Sequence, residues 1–247
     1  MKITFVGTAH GVPFADRYCT CTMIESGNAV YFIDAGRNII DTVLRYGKSP
    51  YDVRTIFTTH THGDHTSGLF QYCDLVDWYY KDHAFDLYTT DQPYVDALVH
   101  LLESTYPDHK LHSDRVRFHI IDPAVAYEDE NIKVEFIPTK HIKEPYHSYA
   151  MLVTEGDKRV LFSGDLSHKL KHGDVPKILS EEPVDAFVCE MAHFDMEDIR
   201  PYLEVAKAKA VYFQHVFPLP KYDDINAARN DFAFPIHCPS DGDSIVI

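Results

Sequence analysis

Short runs of β-branched and aromatic residues alternate along the chain with segments in which apolar residues recur at helical spacing. The first pattern is typical of strands and the second of amphipathic helices, so their alternation predicts a layered α/β fold. The predicted strands are Lys2–Val6, Ala29–Asp34, Val53–Thr59, Asp86–Thr90, Val116–Ile121, Ile132–Thr139, Ser148–Thr154, Arg159–Ser163, Ala186–Met191, Ala210–Gln214 and Ser244–Ile247. The predicted helices are Asn38–Tyr46, Ser67–Cys73, Gln92–Leu102 and a segment near Met196–Ala206.

Local signals refine this prediction. Gly47 suits the left-handed position that follows a helix, so the first helix should stop there. The segment from Glu155 to Lys158 lies between two strand patterns and predicts a hairpin. Thr66 can cap the helix that follows it. The strand Val53–Thr59 ends at a histidine-rich segment, and a strand's end is where α/β sheets usually carry chemistry.

The composition is that of an ordinary globular protein. Of 247 residues, 45% are hydrophobic and 25% are charged, so we expect residues 1–247 to form a single domain. No apolar run approaches the roughly 20 residues that span a bilayer, and the start of the chain lacks a leader pattern. We therefore expect a cytoplasmic protein with no membrane partner. The formal net charge of −15 disfavours a nucleic-acid partner, because phosphate backbones are bound by clustered Lys and Arg.

The cysteines do not predict a disulfide framework. Their number is five, which leaves at least one thiol unpaired and fits a reducing compartment. Cys19 and Cys21 form a C-x-C pair that would need two further ligands to hold a structural metal. The alternative is two ordinary thiols in a loop.

The strongest chemical signal is the segment His60-Thr61-His62-Gly63-Asp64-His65. His60 and His62 point the same way from an extended backbone, and Gly63 permits a turn before Asp64 and His65. Imidazole and carboxylate groups together suit Zn²⁺ and similar ions. The segment therefore predicts part of a metal site that can face two metal positions.

This segment matches the H-x-H-x-D-H signature of the metallo-β-lactamase superfamily, which the chain resembles over nearly its whole length. The resemblance implies a four-layer αβ/βα sandwich and further ligands in chain order. His141 matches a histidine that follows a strand, and His147 is its competitor, because it lies nearer the hairpin but farther from the incoming strand. Asp165, in an unaltered S-G-D motif, matches the aspartate between the metals, and His215 matches the last histidine.

The resemblance also implies two divalent metal ions. One would be held by His60, His62 and His141 and the other by Asp64, His65 and His215, with Asp165 between them. Zn²⁺ suits this mixed ligation best, and Mn²⁺ and Fe²⁺ are the alternatives. Two such ions can share a water and lower its pKa, so a hydroxide between the metals would be the nucleophile.

The segment from Gly7 to Pro13 resembles the G-T-x-x-G-x-P opening of the branch that contains ribonuclease Z and the cyclic phosphodiesterase of phosphonate breakdown. In that branch a histidine contacts the phosphate and protonates the leaving oxygen, and His193 lies at the matching place. We expect Asp64 and His193 to be catalytic, with Glu190 orienting His193; a packing or surface role is the alternative for His193. His10 and His147 are expected to contact substrate, with simple exposure as the alternative.

The sequence thus predicts a metal-dependent hydrolase of a small cyclic or nucleotide-like phosphodiester. A thioester or lactone hydrolase on the same metal site is the first alternative, since a better leaving group makes His193 dispensable. A ribonuclease is disfavoured by the acidic charge and by the lack of a long basic insertion between His65 and His141. A non-catalytic metal sensor would not need the full ligand set.

A homodimer, the commonest soluble oligomer, is compatible with the sequence.

Overall fold

Two seven-stranded β-sheets form the centre of the computed structural model, which describes residues 1–247. The first sheet has the order β14-β1-β2-β3-β4-β5-β6 and the second β13-β12-β11-β10-β9-β8-β7. The strands are β1 (Lys2–Gly7), β2 (Cys21–Ser26), β3 (Ala29–Ile33), β4 (Val53–Phe57), β5 (Phe85–Thr89), β6 (Val116–Ile120), β7 (Tyr127–Glu128), β8 (Lys133–Pro138), β9 (Tyr149–Glu155), β10 (Lys158–Phe162), β11 (Ala186–Met191), β12 (Val211–Val216), β13 (Ile236–His237) and β14 (Ser244–Val246).

Seven α-helices accompany the sheets. They are α1 (Ile39–Arg45), α2 (Gly63–Thr66), α3 (Leu69–Trp78), α4 (Gln92–Glu103), α5 (Ile178–Glu181), α6 (Met196–Leu203) and α7 (Lys221–Ala227). None of them combines the length and the apolar character needed to cross a bilayer.

Three apolar clusters define the layers. One lies between the sheets and includes Phe57 of the first sheet and Phe162 of the second. A second covers the outer face of the first sheet, where α1, α3 and α4 contribute residues such as Val43 and Leu98. A third covers the outer face of the second sheet, where α6 contributes Ile199. Helix, sheet, sheet and helix layers follow one another, which confirms the predicted four-layer αβ/βα sandwich.

The strand directions bring loops together at one edge. Strands β3 to β6 run parallel to one another, as do β10 to β13. Parallel strands present their carboxyl ends at the same edge, and in open α/β sheets this edge carries ligand sites. The histidine-rich segment follows β4, Asp165 follows β10 and His193 follows β11.

Most predicted elements have counterparts that differ by a few residues at their ends. The hairpin prediction is confirmed, because β9 ends at Glu155 and β10 begins at Lys158. Gly47 has φ +69°, the left-handed conformation expected after α1. Six short elements were not predicted, namely the strands β2, β7 and β13 and the helices α2, α5 and α7.

Two local predictions were wrong. Thr66 does not cap the following helix; it ends α2, and its hydroxyl donates to the carbonyl of His62 at 2.9 Å. The helical turn begins earlier, at Gly63, because the metal-type segment itself folds into it. Cys21 is not in a loop either, since it begins β2 and is fully buried.

Candidate metal centre and active site

Four side chains from both sheets converge at the edge of the sandwich. The Nε2 atom of His60 lies 3.0 Å from Nδ1 of His62, which lies 3.4 Å from Nε2 of His141. Oδ2 of Asp165 lies 3.7 Å from Nε2 of His60 and 3.6 Å from Nε2 of His141. All four ligand-type atoms lie within 4.8 Å of one another, which is the spacing of donors that share a metal ion.

A second group lies beside the first. Oδ2 of Asp64 is 3.5 Å from Nε2 of His65 and 3.3 Å from Nε2 of His215. Asp165 reaches this group as well, with Oδ2 3.5 Å from Nε2 of His65 and Oδ1 3.6 Å from Nδ1 of His215. The structure therefore brings together all seven residues predicted as metal ligands, with Asp165 between the two groups.

Unusual backbone conformations aim two of these side chains. His215 has φ +54°, and the pairing of β11 with β12 shifts register at this point. Such a bulge redirects a side chain at a sheet rim. Before Asp165, Gly164 has φ +55°, and a Cβ there would lie 2.6 Å from the carbonyl oxygen of Tyr149. The left-handed conformation costs energy at a residue with a Cβ such as His215, and backbone strain of this kind is concentrated at functional sites.

The histidines of the second group contain unpaired polar atoms. Nε2 of His65 and Nδ1 of His215 are buried and have no hydrogen-bond partner. Buried polar atoms are nearly always paired, because an unsatisfied one costs about 1–3 kcal/mol. A bound divalent cation would satisfy such atoms, so the donor set fits the metals that the resemblance implies.

A third cluster of side chains that could bind a metal has no such unpaired buried atoms. Asp77, His109 and His112 lie together, but both imidazoles hydrogen-bond to the Asp77 carboxylate, His112 Nδ1 at 2.8 Å. Its polar atoms are already satisfied, and it offers no comparable reason to hold a metal. Cys19 and Cys21 belong to none of the clusters.

The histidines are held from behind by groups that sequence reasoning missed. Oδ2 of Asp34 lies 2.8 Å from Nδ1 of His65, and Oδ1 accepts from the backbone N–H of Thr59 at 2.7 Å. The Thr59 hydroxyl lies 3.1 Å from Nδ1 of His60, and Nδ1 of His141 donates to the Leu166 carbonyl at 3.3 Å. Such outer contacts fix the ring and tautomer of a ligating histidine. The only sequence signal for Asp34 was its place at the end of a buried strand.

His193 lies beside this centre. Its Nδ1 is 2.8 Å from Oε2 of Glu190, whose two oxygens also accept from the backbone N–H groups of Leu166 at 2.7 Å and Ala192 at 2.9 Å. Nδ1 of His193 lies 3.9 Å from Oδ2 of Asp165. The expected contact of Glu190 with His193 is therefore present, and the other ring nitrogen of His193 is left free.

His10 and His147 occupy different places. The His10 ring stacks on Phe217 at 4.7 Å between centroids and lies 4.9 Å from the His215 ring, so it borders the centre. His147 belongs to neither ligand group; its Nδ1 lies 2.8 Å from Oδ1 of Asp91. It lines a cavity of about 680 Å³ together with Lys140. The structure thus brings His141 to the ligand group and leaves His147 outside it.

Burial and charge oppose each other at the centre. Burial lowers the pKa of His60. Burial would raise the pKa of Asp64, but His215 and His65 outweigh this effect and hold the pKa of Asp64 at about 2. Burial would lower the pKa of His193 as well, but the hydrogen bond and charge of Glu190 outweigh this effect and raise the pKa of His193. The carboxylates are therefore ionised, as metal ligands must be.

The fold and the site define a class of protein. The metallo-β-lactamase fold protein YhfI from Bacillus subtilis superimposes with a TM-score of 0.77 at 17% identity, covering 99% of both chains. The structure of a new diphosphatase from the PhnP family has a TM-score of 0.70 at 19% identity and covers 100% of this chain and 97% of its own. The chain therefore has the metallo-β-lactamase fold, which confirms the fold that the predicted resemblance implied.

The sequence comparisons narrow this class to a family. The profile of the family described as "Anti-Pycsar protein Apyc1" matches residues 1–206, and the chain belongs to this family. A curated ribonuclease Z from Picosynechococcus sp. is 27% identical over 172 residues, which are 69% of this chain and 52% of that protein. The chain thus spans about half the length of the curated relatives it matches.

Proposed function

We propose that the protein is a metal-dependent phosphodiesterase that hydrolyses a small cyclic or nucleotide-like phosphodiester, with Asp64 and His193 as catalytic residues. The observation that carries this proposal is the buried Glu190 carboxylate, which holds His193 beside Asp165. An alkoxide leaves a phosphodiester poorly unless it is protonated or stabilised by a metal. A thioester has a better leaving group, a thiolate, and would not need a histidine held in this way.

The candidate ligands favour two divalent ions, with Zn²⁺ first among them. One would be held by His60, His62, His141 and Asp165, and the other by Asp64, His65, His215 and Asp165. When bound, such ions activate water at neutral pH and stabilise negative charge on a phosphoryl group. The chain's own part is to orient the donors: Asp34 fixes His65, and the Leu166 carbonyl fixes His141.

The remaining side chains would act on the substrate. Because Glu190 engages Nδ1 of His193, Nε2 is the atom that would donate a proton to the leaving oxygen. His10, stacked on Phe217 next to His215, would form one wall of the pocket. We also propose that residues 1–247 act as one hydrolase domain, since β14 near the end of the chain pairs with β1 at its start.

Ribonuclease activity is the second candidate. It is favoured by the name of the curated relatives, ribonuclease Z, which match over about half of their length. The net charge of −15 is unfavourable for binding a long phosphate backbone. A compact diester makes fewer phosphate contacts and is less affected by that charge.

The test combines metal analysis with substrate choice. Purified protein is assayed on bis-p-nitrophenyl phosphate, a panel of cyclic nucleotides, a thioester, a lactone and a structured RNA, before and after chelation and Zn²⁺ restoration. We expect about two metal ions per chain and chelator-sensitive cleavage of the small diesters. H193A should slow cleavage of the cyclic nucleotides about 100-fold or more and affect bis-p-nitrophenyl phosphate less, because p-nitrophenolate leaves without a proton. H100A, which alters an exposed histidine of α4, should slow neither reaction.

Each other outcome contradicts part of the proposal. Cleavage of the thioester or lactone alone, with H193A as active as the unmodified protein, would make it an ester hydrolase. Preferential cleavage of the RNA would make it a ribonuclease. Protein that retains no metal after Zn²⁺ loading would contradict the whole assignment.

A further inference from the structure

Lys221 is a buried lysine that contacts the loop carrying His193. It binds this loop through backbone carbonyls, whereas Glu190 contacts the His193 ring. Lys221 begins α7, beyond the residues matched by the family profile, and is only 8% exposed. Lysines are almost never buried unless their charge is compensated. A structural reason for this burial is therefore expected in its contacts.

The ammonium group of Lys221 has three N–H donors and three oxygen partners. Nζ donates to the carbonyl of Ala192 at 3.1 Å and to that of Phe194 at 2.6 Å. The third partner is Oδ1 of Asp195, at 3.1 Å. All three partners lie in the segment 192–195, and the two carbonyls flank His193.

The same segment is anchored at other points by neutral and anionic groups. The backbone N–H of Lys169 donates to the His193 carbonyl at 2.8 Å. Oε2 of Glu190 accepts from the N–H groups of Ala192 at 2.9 Å and His193 at 3.1 Å. Glu190 thus holds the amide side of the segment and the imidazole, while Lys221 holds the carbonyl side.

We propose that Lys221 is a positioning residue, which fixes the segment 192–195 so that the imidazole of His193 stays aligned with the leaving oxygen. This inference rests on the proposed phosphodiesterase function. A methionine of similar length would leave the Ala192 and Phe194 carbonyls buried without donors, and the segment would shift to satisfy them. An arginine keeps the charge and several donors, but its planar fork directs them differently from an ammonium.

The first test uses diesters that differ only in the leaving group. The p-nitrophenyl and phenyl esters of thymidine 5′-monophosphate form such a pair, since p-nitrophenolate departs with less need of a proton than phenolate. K221M should lower kcat for the phenyl ester about 10-fold or more and change the p-nitrophenyl reaction about 3-fold or less. K221R should recover part of this loss. K110M, which alters a lysine whose side chain is 83% exposed, is the matched control.

A double-mutant cycle separates positioning from general stabilisation. If Lys221 acts through His193, K221M should have little further effect on the phenyl ester in an H193A background, because coupled residues are not additive. Equal losses on both esters, or full additivity with H193A, would overturn the inference. If K221M does not fold, K221R carries the same test, with a smaller loss confined to the phenyl ester.

Amide hydrogen exchange gives a readout that does not depend on turnover. K221M should increase exchange in the segment 192–195, and K110M should not. Unchanged exchange there would contradict the anchoring role even if activity falls. If the unmodified protein cleaves neither these esters nor any cyclic nucleotide, the proposed function fails, and the exchange experiment still decides whether Lys221 anchors this segment.

Discussion

The carboxylate of Asp34 lies 2.8 Å from Nδ1 of His65, and both residues are buried. Asp34 adopts φ +61°, a left-handed conformation that is uncommon for residues other than glycine. The contact leaves Nε2 of His65 as the atom that faces Asp64 and Asp165. The orientation of one candidate ligand thus depends on a residue outside the ligand set.

Replacing Asp34 should therefore weaken metal binding. In D34N the partner of His65 loses its charge, and the ring is no longer held in a single tautomer. We expect Zn²⁺ affinity, measured by competition with a chromogenic chelator, to fall about 10- to 100-fold. D157N changes an aspartate whose side chain is 88% exposed and should bind as the unmodified protein does. Equal affinities for D34N and D157N would remove Asp34 from the support of the site.

Metal removal should lower thermal stability. A ligand present at 100 times its Kd stabilises the folded state by about 2.7 kcal/mol, which corresponds to a Tm shift of about 5–10 °C for a chain of this size. We expect chelation to cause such a fall and Zn²⁺ to reverse it. H109Q, in the hydrogen-bonded Asp77 cluster, should keep the metal content of the unmodified protein, whereas H65Q should lose metal. A loss of metal in H109Q would show that the Asp77 cluster binds an ion after all.

A side chain at Gly36 should not be tolerated. A Cβ there would lie 2.0 Å from the carbonyl oxygen of Asp64 and 2.7 Å from that of Thr20, and both are backbone atoms that move only with their segments. G36A is expected to lower the free energy of unfolding, measured with urea, by about 3 kcal/mol. G63A is the control, because a Cβ at Gly63 meets nothing within 4 Å. Equal stabilities for the two variants would mean that the Asp64 segment is not packed as described.

Asp129 should make stability depend on acid pH. It accepts from the Tyr31 hydroxyl at 2.6 Å and from the backbone N–H groups of Asn131 at 2.8 Å and Ile132 at 2.9 Å. Burial would raise the pKa of Asp129, but these donors outweigh it and lower the pKa to about 2. A carboxylate with a lowered pKa stabilises the fold above its unfolded pKa of about 3.9 and loses this effect as pH falls toward the folded value.

The corresponding experiment compares D129N with the unmodified protein across pH. We expect D129N to be less stable by about 2 kcal/mol at pH 5–7, and the difference to shrink progressively below about pH 4. Urea unfolding of metal-free protein measures both values without interference from the metal site. A difference that stays constant down to about pH 3 would contradict the lowered pKa.

The candidate metal ligands could be predicted because they occur in recognisable local motifs at strand ends, as with His60 to His65 and Asp165. Asp34 and Lys221, which support His65 and His193, could not be predicted from the sequence. In the sequence Asp34 looks like an ordinary polar residue after a strand, and Lys221 looks like a surface lysine. The burial of a charged side chain depends on contacts between segments that are distant in the sequence, so it cannot be read from local patterns. Strand β2 was missed because Thr22, Glu25 and Ser26 interrupt its apolar pattern, although Thr22 and Ser26 are buried.

The distribution of the candidate ligands along the chain has a consequence for how the protein matures. Four of them, His60, His62, Asp64 and His65, leave the ribosome early, whereas His141, Asp165 and His215 follow much later and come from the second sheet. A nascent chain therefore exposes an incomplete donor set until His215 has emerged. Tight metal capture should follow the joining of β12 to the second sheet.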